Sequence, residues 1–174
     1  MQGLTANPKF KDVKAELRVL YEKRKTWDEA IATFSKLVEK DPEDLNNKLQ
    51  LGQFQLAKGD TAGTRKTYEL AIEQHPFSER AYLAMGAIEK IAGDTTAAIA
   101  AYQQGLEKRT NFFDVRRRLR DIYVKRNNYD QAISLYEPLT DSDSTFVGAR
   151  IEIANLTMQK GDTLKAIEKC EQLY

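Results

Sequence analysis

Alanine recurs on a fixed spacing in this chain. Ala30, Ala98, Ala132 and Ala166 lie multiples of 34 residues apart, and the slot between the first two holds the small Thr64. Four residues further on come Phe34, Tyr68, Tyr102, Tyr136 and Cys170. A second phase carries Leu17, Leu51, Met85, Leu119 and Ile153. A third carries Gly59-Asp60-Thr61, Gly93-Asp94-Thr95 and Gly161-Asp162-Thr163, with Asn127-Asn128 at the same place in between. Pro8, Pro42 and Pro76 keep the same spacing. A chain built this way is an array. Each period is one small unit that buries its apolar face only against its neighbours.

Each period reads as two amphipathic helices. In the second, an alanine and an aromatic four residues apart share one face. In the first, Leu49, Leu51, Phe54 and Leu56 illustrate the apolar set around the leucine slot. The Gly-Asp-Thr tripeptide closes one helix through a left-handed glycine and opens the next with a capping Asp or Thr. Proline ends the second helix because it cannot continue it. No segment alternates with the period of two that marks a half-buried strand. The expected fold is all-α.

Composition narrows the function. Lys plus Arg total 27 and Asp plus Glu total 26, so the net charge of +1 excludes a polyanion binder that works through bulk charge. The longest apolar stretch, Ala97 to Tyr102, is far too short to span a membrane, so no membrane insertion is expected. The single Cys170 excludes an intramolecular disulfide framework and a cysteine metal cluster. Cys170 sits in the aromatic slot, where a packing thiol is the plain reading. The single His75 precedes Pro76 and reads as a residue at a helix C-terminus. No glycine-rich phosphate loop and no acid–base pair stands out. The chain is therefore expected to have no catalytic residue, metal or cofactor.

Tyr82-x2-Met85-Gly86 followed by Ala98-x3-Tyr102, Leu51-Gly52 followed by Tyr68, Ala71 and Pro76, and Leu17-x3-Tyr21 followed by Ala30-x3-Phe34 and Pro42 resemble the tetratricopeptide repeat family. The resemblance implies a right-handed α-solenoid of helix-turn-helix repeats. Its repeats would span 11–44, 45–78, 79–112, 113–146 and 147–174, in one continuous domain. Residues 1–10 would be the end of a truncated preceding repeat. The ends read as cut from a longer array, which predicts end-to-end self-association. The chain would be soluble, with the cytoplasm the nearer expectation for its compartment.

The resemblance also implies a concave groove lined by the first helix of each repeat. Carried over by phase, repeat two contributes Asn46, Leu49 and Gln53. Repeat three contributes Arg80 and Leu83, repeat four Arg117 and Asp121, and repeat five Ile151 and Asn155. Leu49, Leu83 and Ile151 share one phase as an apolar track flanked by Arg80 and Arg117, which suits a peptide with apolar and acidic anchors. Those same residues also suit packing between repeats. Ala15 with Val19 and Leu49 with Gln53 do not match the Lys and Asn clamp of chaperone-binding members. Glu16, Gln50, Ala84, Arg118 and Glu152 do not form the asparagine ladder of members attached to a glycosyltransferase.

Three departures stand out. Arg18 and Arg120 occupy the slot where the family places Gly or Ala, so each must turn its head outward or widen the helix pair. Asp141 to Thr145 reads as a looser joint. The run Arg116-Arg117-Arg118-Leu119-Arg120 carries four arginines. It reads either as a solvated helix paired with Asp114 and Asp121, or as a basic patch for an acidic peptide, a phosphate or nucleic acid. The expected function is a non-catalytic scaffold that binds a partner segment in the groove. The alternatives are polyanion or nucleic-acid contact through the repeat-four arginines, or the regulatory or targeting arm of a larger enzyme.

Overall fold

The structure is a computed structural model that describes residues 8–142 and 147–171, with side chains for 13–140 and 147–168. The Cys170 side chain, most of the joint at 141–145 and the start of the expected truncated repeat lie outside the described residues. Every regular element among the described residues is an α-helix. The chain divides into two compact units, Met1–His75 and Pro76–Tyr174. The first holds α1 (Pro8–Arg24), α2 (Trp27–Lys40), α3 (Leu45–Lys58) and α4 (Thr61–Gln74). The second holds α5 (Glu79–Ile91), α6 (Thr95–Lys108), α7 (Phe113–Lys125), α8 (Tyr129–Ser134), α9 (Glu137–Ser142), α10 (Val147–Gln159) and α11 (Thr163–Glu171).

The sharp turns obey the sequence period. Among the described residues, those with positive φ are Lys25, Gly59, Gly93, Asn127 and Gly161, each 34 after the one before. Only the left-handed conformation lets the chain leave one helix and start the next within two residues, and Asn127 is the side chain that tolerates it best outside glycine. Asp60 and Asp94 then cap α4 and α6, accepting from the backbone N–H of Gly63 and Ala97 at 2.8 Å each. His75 lies at the C-terminal cap of α4, in keeping with its place before Pro76.

In the first unit, Phe54 of α3 is the hub. Phe34 lies 5.2 Å away, Tyr21 meets it edge-on at 6.1 Å, and Trp27 lies at 6.3 Å. Ala30 is fully buried beside them. Asp44 ties α1 to α3. Its carboxylate accepts from Lys14 at 3.0 Å and from the N–H of Asn46 at 2.8 Å. Burial works against that carboxylate's charge, but Lys14 and the two capping amides outweigh it and hold the pKa below the usual value.

The second unit packs α5, α6 and α7 around Tyr82, which has no exposed surface and faces Phe112 at 6.1 Å. Val115, Leu119 and Ala132 are equally enclosed. The repeat-four pattern implies one unbroken second helix, and the structure corrects this. The segment is two short helices, α8 and α9, separated at Leu135 and Tyr136. Pro138 is the cause. It has no N–H to give the Ser134 carbonyl, and its ring crowds that carbonyl. The chain crosses the gap with tighter three-residue turns, Tyr136 N–H to Ile133 O at 2.9 Å and Leu139 N–H to Tyr136 O at 3.0 Å.

A buried donor recurs where no sequence pattern announces one. Lys48 Nζ bonds the Pro42 carbonyl, Tyr82 Oη donates to Pro76 O at 3.1 Å, and Arg116 Nη2 bonds Thr110 O. The three side chains are 34 residues apart, each reaches six residues back, and all three are buried. Lysine, tyrosine and arginine share only a long apolar stem that ends in a donor. Each satisfies a carbonyl in the turn before its own helix, which would otherwise lack a partner on the buried side. Tyr82→Phe is therefore expected to destabilise the second unit by about 1–2 kcal/mol, because it keeps the ring and strands the Pro76 carbonyl. Equilibrium urea unfolding followed by circular dichroism reads this directly, and an unchanged midpoint would show that the bond contributes nothing.

Candidate functional site

The arginine run resolves first. Arg116 is buried, with its guanidinium 5.7 Å from the Tyr136 ring centre, and burial pushes its pKa down. Arg117 is exposed and pairs with Asp114 at 2.6 Å. Arg120 is half-buried and pairs with Asp121 at 2.7 Å and Glu152 at 3.1 Å. Arg118 is exposed and has no carboxylate at ion-pair distance among the described residues. The four arginines therefore do not form one basic patch, because consecutive residues on a helix point in different directions. The aromatics near them do not make a stacking surface either. Phe112 and Tyr123 are buried, and only Phe113 of the three faces solvent.

The residues assigned to the groove separate by helix. On α3, Asn46 and Gln53 are exposed, whereas Leu49 is buried. Leu49 belongs to the packing between helices and is not available to a partner. Gln53 accepts from Gln50 at 2.8 Å. On α5, Arg80 is exposed and Leu83 half-buried. On α7, Asp121 is half-buried and engaged by Arg120. On α10, Ile151 and Asn155 are exposed. Leu49 is therefore closed off, while Leu83 and Ile151, both in the second unit, are at least partly open to solvent.

The second unit has a cleft of about 300 Å³ lined by Leu83, Ala87, Lys90, Ile91, Tyr102 and Arg118. Leu83, Ala87, Lys90 and Ile91 follow one another at spacings of four, three and one on α5, so they share one helical face. Ile91 is an isoleucine held out to solvent. The buried Tyr102 ring lies at the base, with its edge against Gly86 of α5. Burial raises the Tyr102 pKa, and the positive charge of Arg118 partly opposes that rise. Phase alone names Leu83 and puts Arg80 and Arg117 beside it. The structure places Lys90 and Arg118 there. Their signal is present in the sequence: Lys90 lies two turns beyond Leu83 on the same helix, and Arg118 stands within the arginine run.

The architecture is that of an α-solenoid of helix-turn-helix repeats, with a cleft between the first helices of adjacent repeats in the second unit. The tetratricopeptide repeat family model matches residues 23–88 and 91–145, and the chain belongs to that family. Its repeats generally mediate protein–protein interaction, and its members are generally non-catalytic scaffolds. The crystal structure of MamA is 21% identical, covers 93% of this chain and 88% of its own, and has a TM-score of 0.57. A tetratricopeptide repeat protein from Parabacteroides merdae ATCC 43184 is 15% identical over 98% of this chain and 66% of its own, with a TM-score of 0.55. YrrB, described as a tetratricopeptide repeat protein with an unusual peptide-binding site, is 16% identical over 91% and 81%, with a TM-score of 0.51. At these identities the likeness is one of fold. No curated protein matches the chain in sequence. No helix among the described residues is long and apolar enough to cross a membrane.

Proposed function

We propose that the chain is a non-catalytic scaffold that binds a segment of a partner protein on the first helices of the repeats in its second unit. The observation that carries this reading is the apolar surface held out on those helices in the second unit. Ile91 is 66% exposed, Ile151 45% and Met158 54%. Folding gains nothing from leaving such side chains in water, and a partner that covers them gains about 25 cal/mol for each Å² of apolar surface removed. A rigid helical face with a cleft beside it suits an extended or helical peptide whose side chains enter at intervals. The peptide-binding site of YrrB, a protein of the same fold, is in keeping with this use. The polyanion reading loses its support once Arg116 is buried and Arg117 and Arg120 are paired.

Site-specific photo-crosslinking tests the proposal. A photoreactive residue placed at Ile91, Ile151 or Met158 is expected to trap a partner in lysate of the source cells. The same residue at the exposed Gln103 or Gln104 on α6 is expected to trap nothing above background. Equal trapping at both sets of positions, or trapping on α6 alone, overturns the assignment.

A further inference from the structure

We infer that the cleft between α5 and α7 receives an acidic side chain from within a partner peptide, with a neighbouring apolar side chain of that peptide seated on Leu83, Ala87 and Ile91. The inference rests on the scaffold reading above and specifies its chemistry. Charge accounting on this face carries it. Glu79 accepts from the N–H groups of Asp114 and Val115 at 2.7 and 3.1 Å, so it caps α7. Asp114 holds Arg117, while Asp121 and Glu152 hold Arg120. Each of these four carboxylates is engaged elsewhere. Lys90 and Arg118 line the cleft with no carboxylate at ion-pair distance among the described residues. Two unmatched cations flank an apolar floor and walls of Leu83, Ala87, Ile91 and Tyr102.

That combination selects its ligand. A carboxylate that reaches both cations forms charge-assisted hydrogen bonds, which are about twice as strong as those between neutral groups. The arginine can grip it with two parallel N–H groups and the lysine adds a point charge. The lining contains no Asn or Gln, and its backbone belongs to the helices α5, α6 and α7. A terminal peptide unit has an N–H and a C=O to satisfy as well as its carboxylate, and no amide side chain in this lining is there to match them. A side-chain carboxylate on an apolar stem needs only the two cations. The volume of about 300 Å³ equals roughly ten waters at ~30 Å³ each, enough for that side chain and one apolar neighbour.

The test selects twelve-residue peptides from a random phage-displayed library on the whole chain, then measures the winners by fluorescence anisotropy. Enrichment of Glu or Asp within four residues of Leu, Ile, Met or Phe is the expected result. Arg118→Gln and Lys90→Gln, both at exposed positions, are each expected to weaken a selected peptide about tenfold or more, with an unchanged melting temperature. Replacing the peptide's Glu by Gln is expected to cost a similar factor on the wild type and nothing further on the double variant. Peptides that lack acidic residues, or that bind the double variant as well as the wild type, overturn this inference. They leave the scaffold reading standing if they still compete with photo-crosslinking at Ile91. Selected peptides that crosslink only to α6 overturn both.

Discussion

Gly86→Ala is expected to destabilise the chain by about 2–3 kcal/mol, against the direction that helix propensity predicts. In mid-helix, alanine is normally better than glycine by roughly 0.5–1 kcal/mol. At this position the added methyl would run into Tyr102 Cε1 and Cζ, closer than 3.0 Å to each. The ring must move, and it has nowhere to go on the buried side, because it is 1% exposed and shares its helix with the enclosed Ala98. Overpacking of this kind outweighs the propensity gain. Gly148 is the control. It lies in the first turn of α10 with nothing within 4 Å of an added methyl, so Gly148→Ala is expected to be neutral or slightly stabilising. Urea unfolding of both variants decides the matter. A Gly86→Ala protein as stable as the wild type would mean that α5 and α6 approach each other less closely than the Tyr102 ring requires. The same variant also probes the cleft, since the displaced Tyr102 ring forms its base. Peptide binding is expected to weaken along with stability.

That glycine shows why so much of the fold is legible in the sequence. Gly52 and Gly86 occupy one phase, Tyr68 and Tyr102 another, and each glycine lies sixteen residues before its tyrosine. A small residue facing a ring across two helices is a steric statement, and a repeating sequence makes it more than once. The turns are legible for the same reason. The left-handed residue recurs, and few residue types tolerate it. Lys25 departs from that rule and has no glycine to announce it, yet it holds the same place. The break between α8 and α9 escapes the period even though Pro138 is visible. Proline at a helix boundary is an ordinary marker, whereas this one falls inside the segment that the period assigns to a helix. The donors at Lys48, Tyr82 and Arg116 escape it because a period compares residue types. What recurs at those positions is a bond, made by three side chains of unlike chemistry to backbone atoms.

The cleft is only half legible. Phase carried over from a family identifies which helix faces a groove, but not which charges are already matched. Phase assigns Arg117 to the groove, and Asp114 three residues earlier holds it, while Arg118 has no carboxylate at ion-pair distance among the described residues. Leu49 and Leu83 have the same phase, yet Leu49 is buried by its own unit and Leu83 is partly open to solvent. The pairs of Arg117 with Asp114 and Arg120 with Asp121 are local and can be read from the helix. The reach of Arg120 to Glu152, 32 residues on, and the burial of Leu49 depend on other helices, and no local reading contains them.

Alkaline pH is expected to unfold the chain more readily than its modest net charge suggests. The buried Tyr68 has its pKa pushed up to about 12, through burial alone, from an ordinary value of 10.0. Burial raises Tyr82, Tyr102, Tyr123 and Tyr136 in the same direction. A phenol that keeps its proton in the folded state and loses it in the unfolded one contributes stability that is whole below about pH 10 and falls away as pH climbs to about 12. Each pH unit across that interval is worth about 1.4 kcal/mol, so Tyr68 alone accounts for roughly 2–3 kcal/mol. Lys48 runs the other way. Burial lowers its pKa despite the opposing charges of Glu43, Asp44 and Asp41, so folding gains as pH rises toward the ordinary lysine value of 10.5 and no further. The two effects overlap only at the foot of the tyrosine range, so the net decline belongs to the phenols. Urea unfolding at intervals from about pH 9 to about pH 12, with tyrosinate absorbance read in parallel, is expected to show stability falling as the folded protein resists ionisation. Tyr68→Phe gives up only a long hydroxyl contact, 3.5 Å to the Leu49 carbonyl, and is expected to flatten that fall by about 1.4 kcal/mol per pH unit. A wild-type curve that stays level across the range, or a Tyr68→Phe curve no flatter than the wild type, would show that the phenol reaches water in the folded chain.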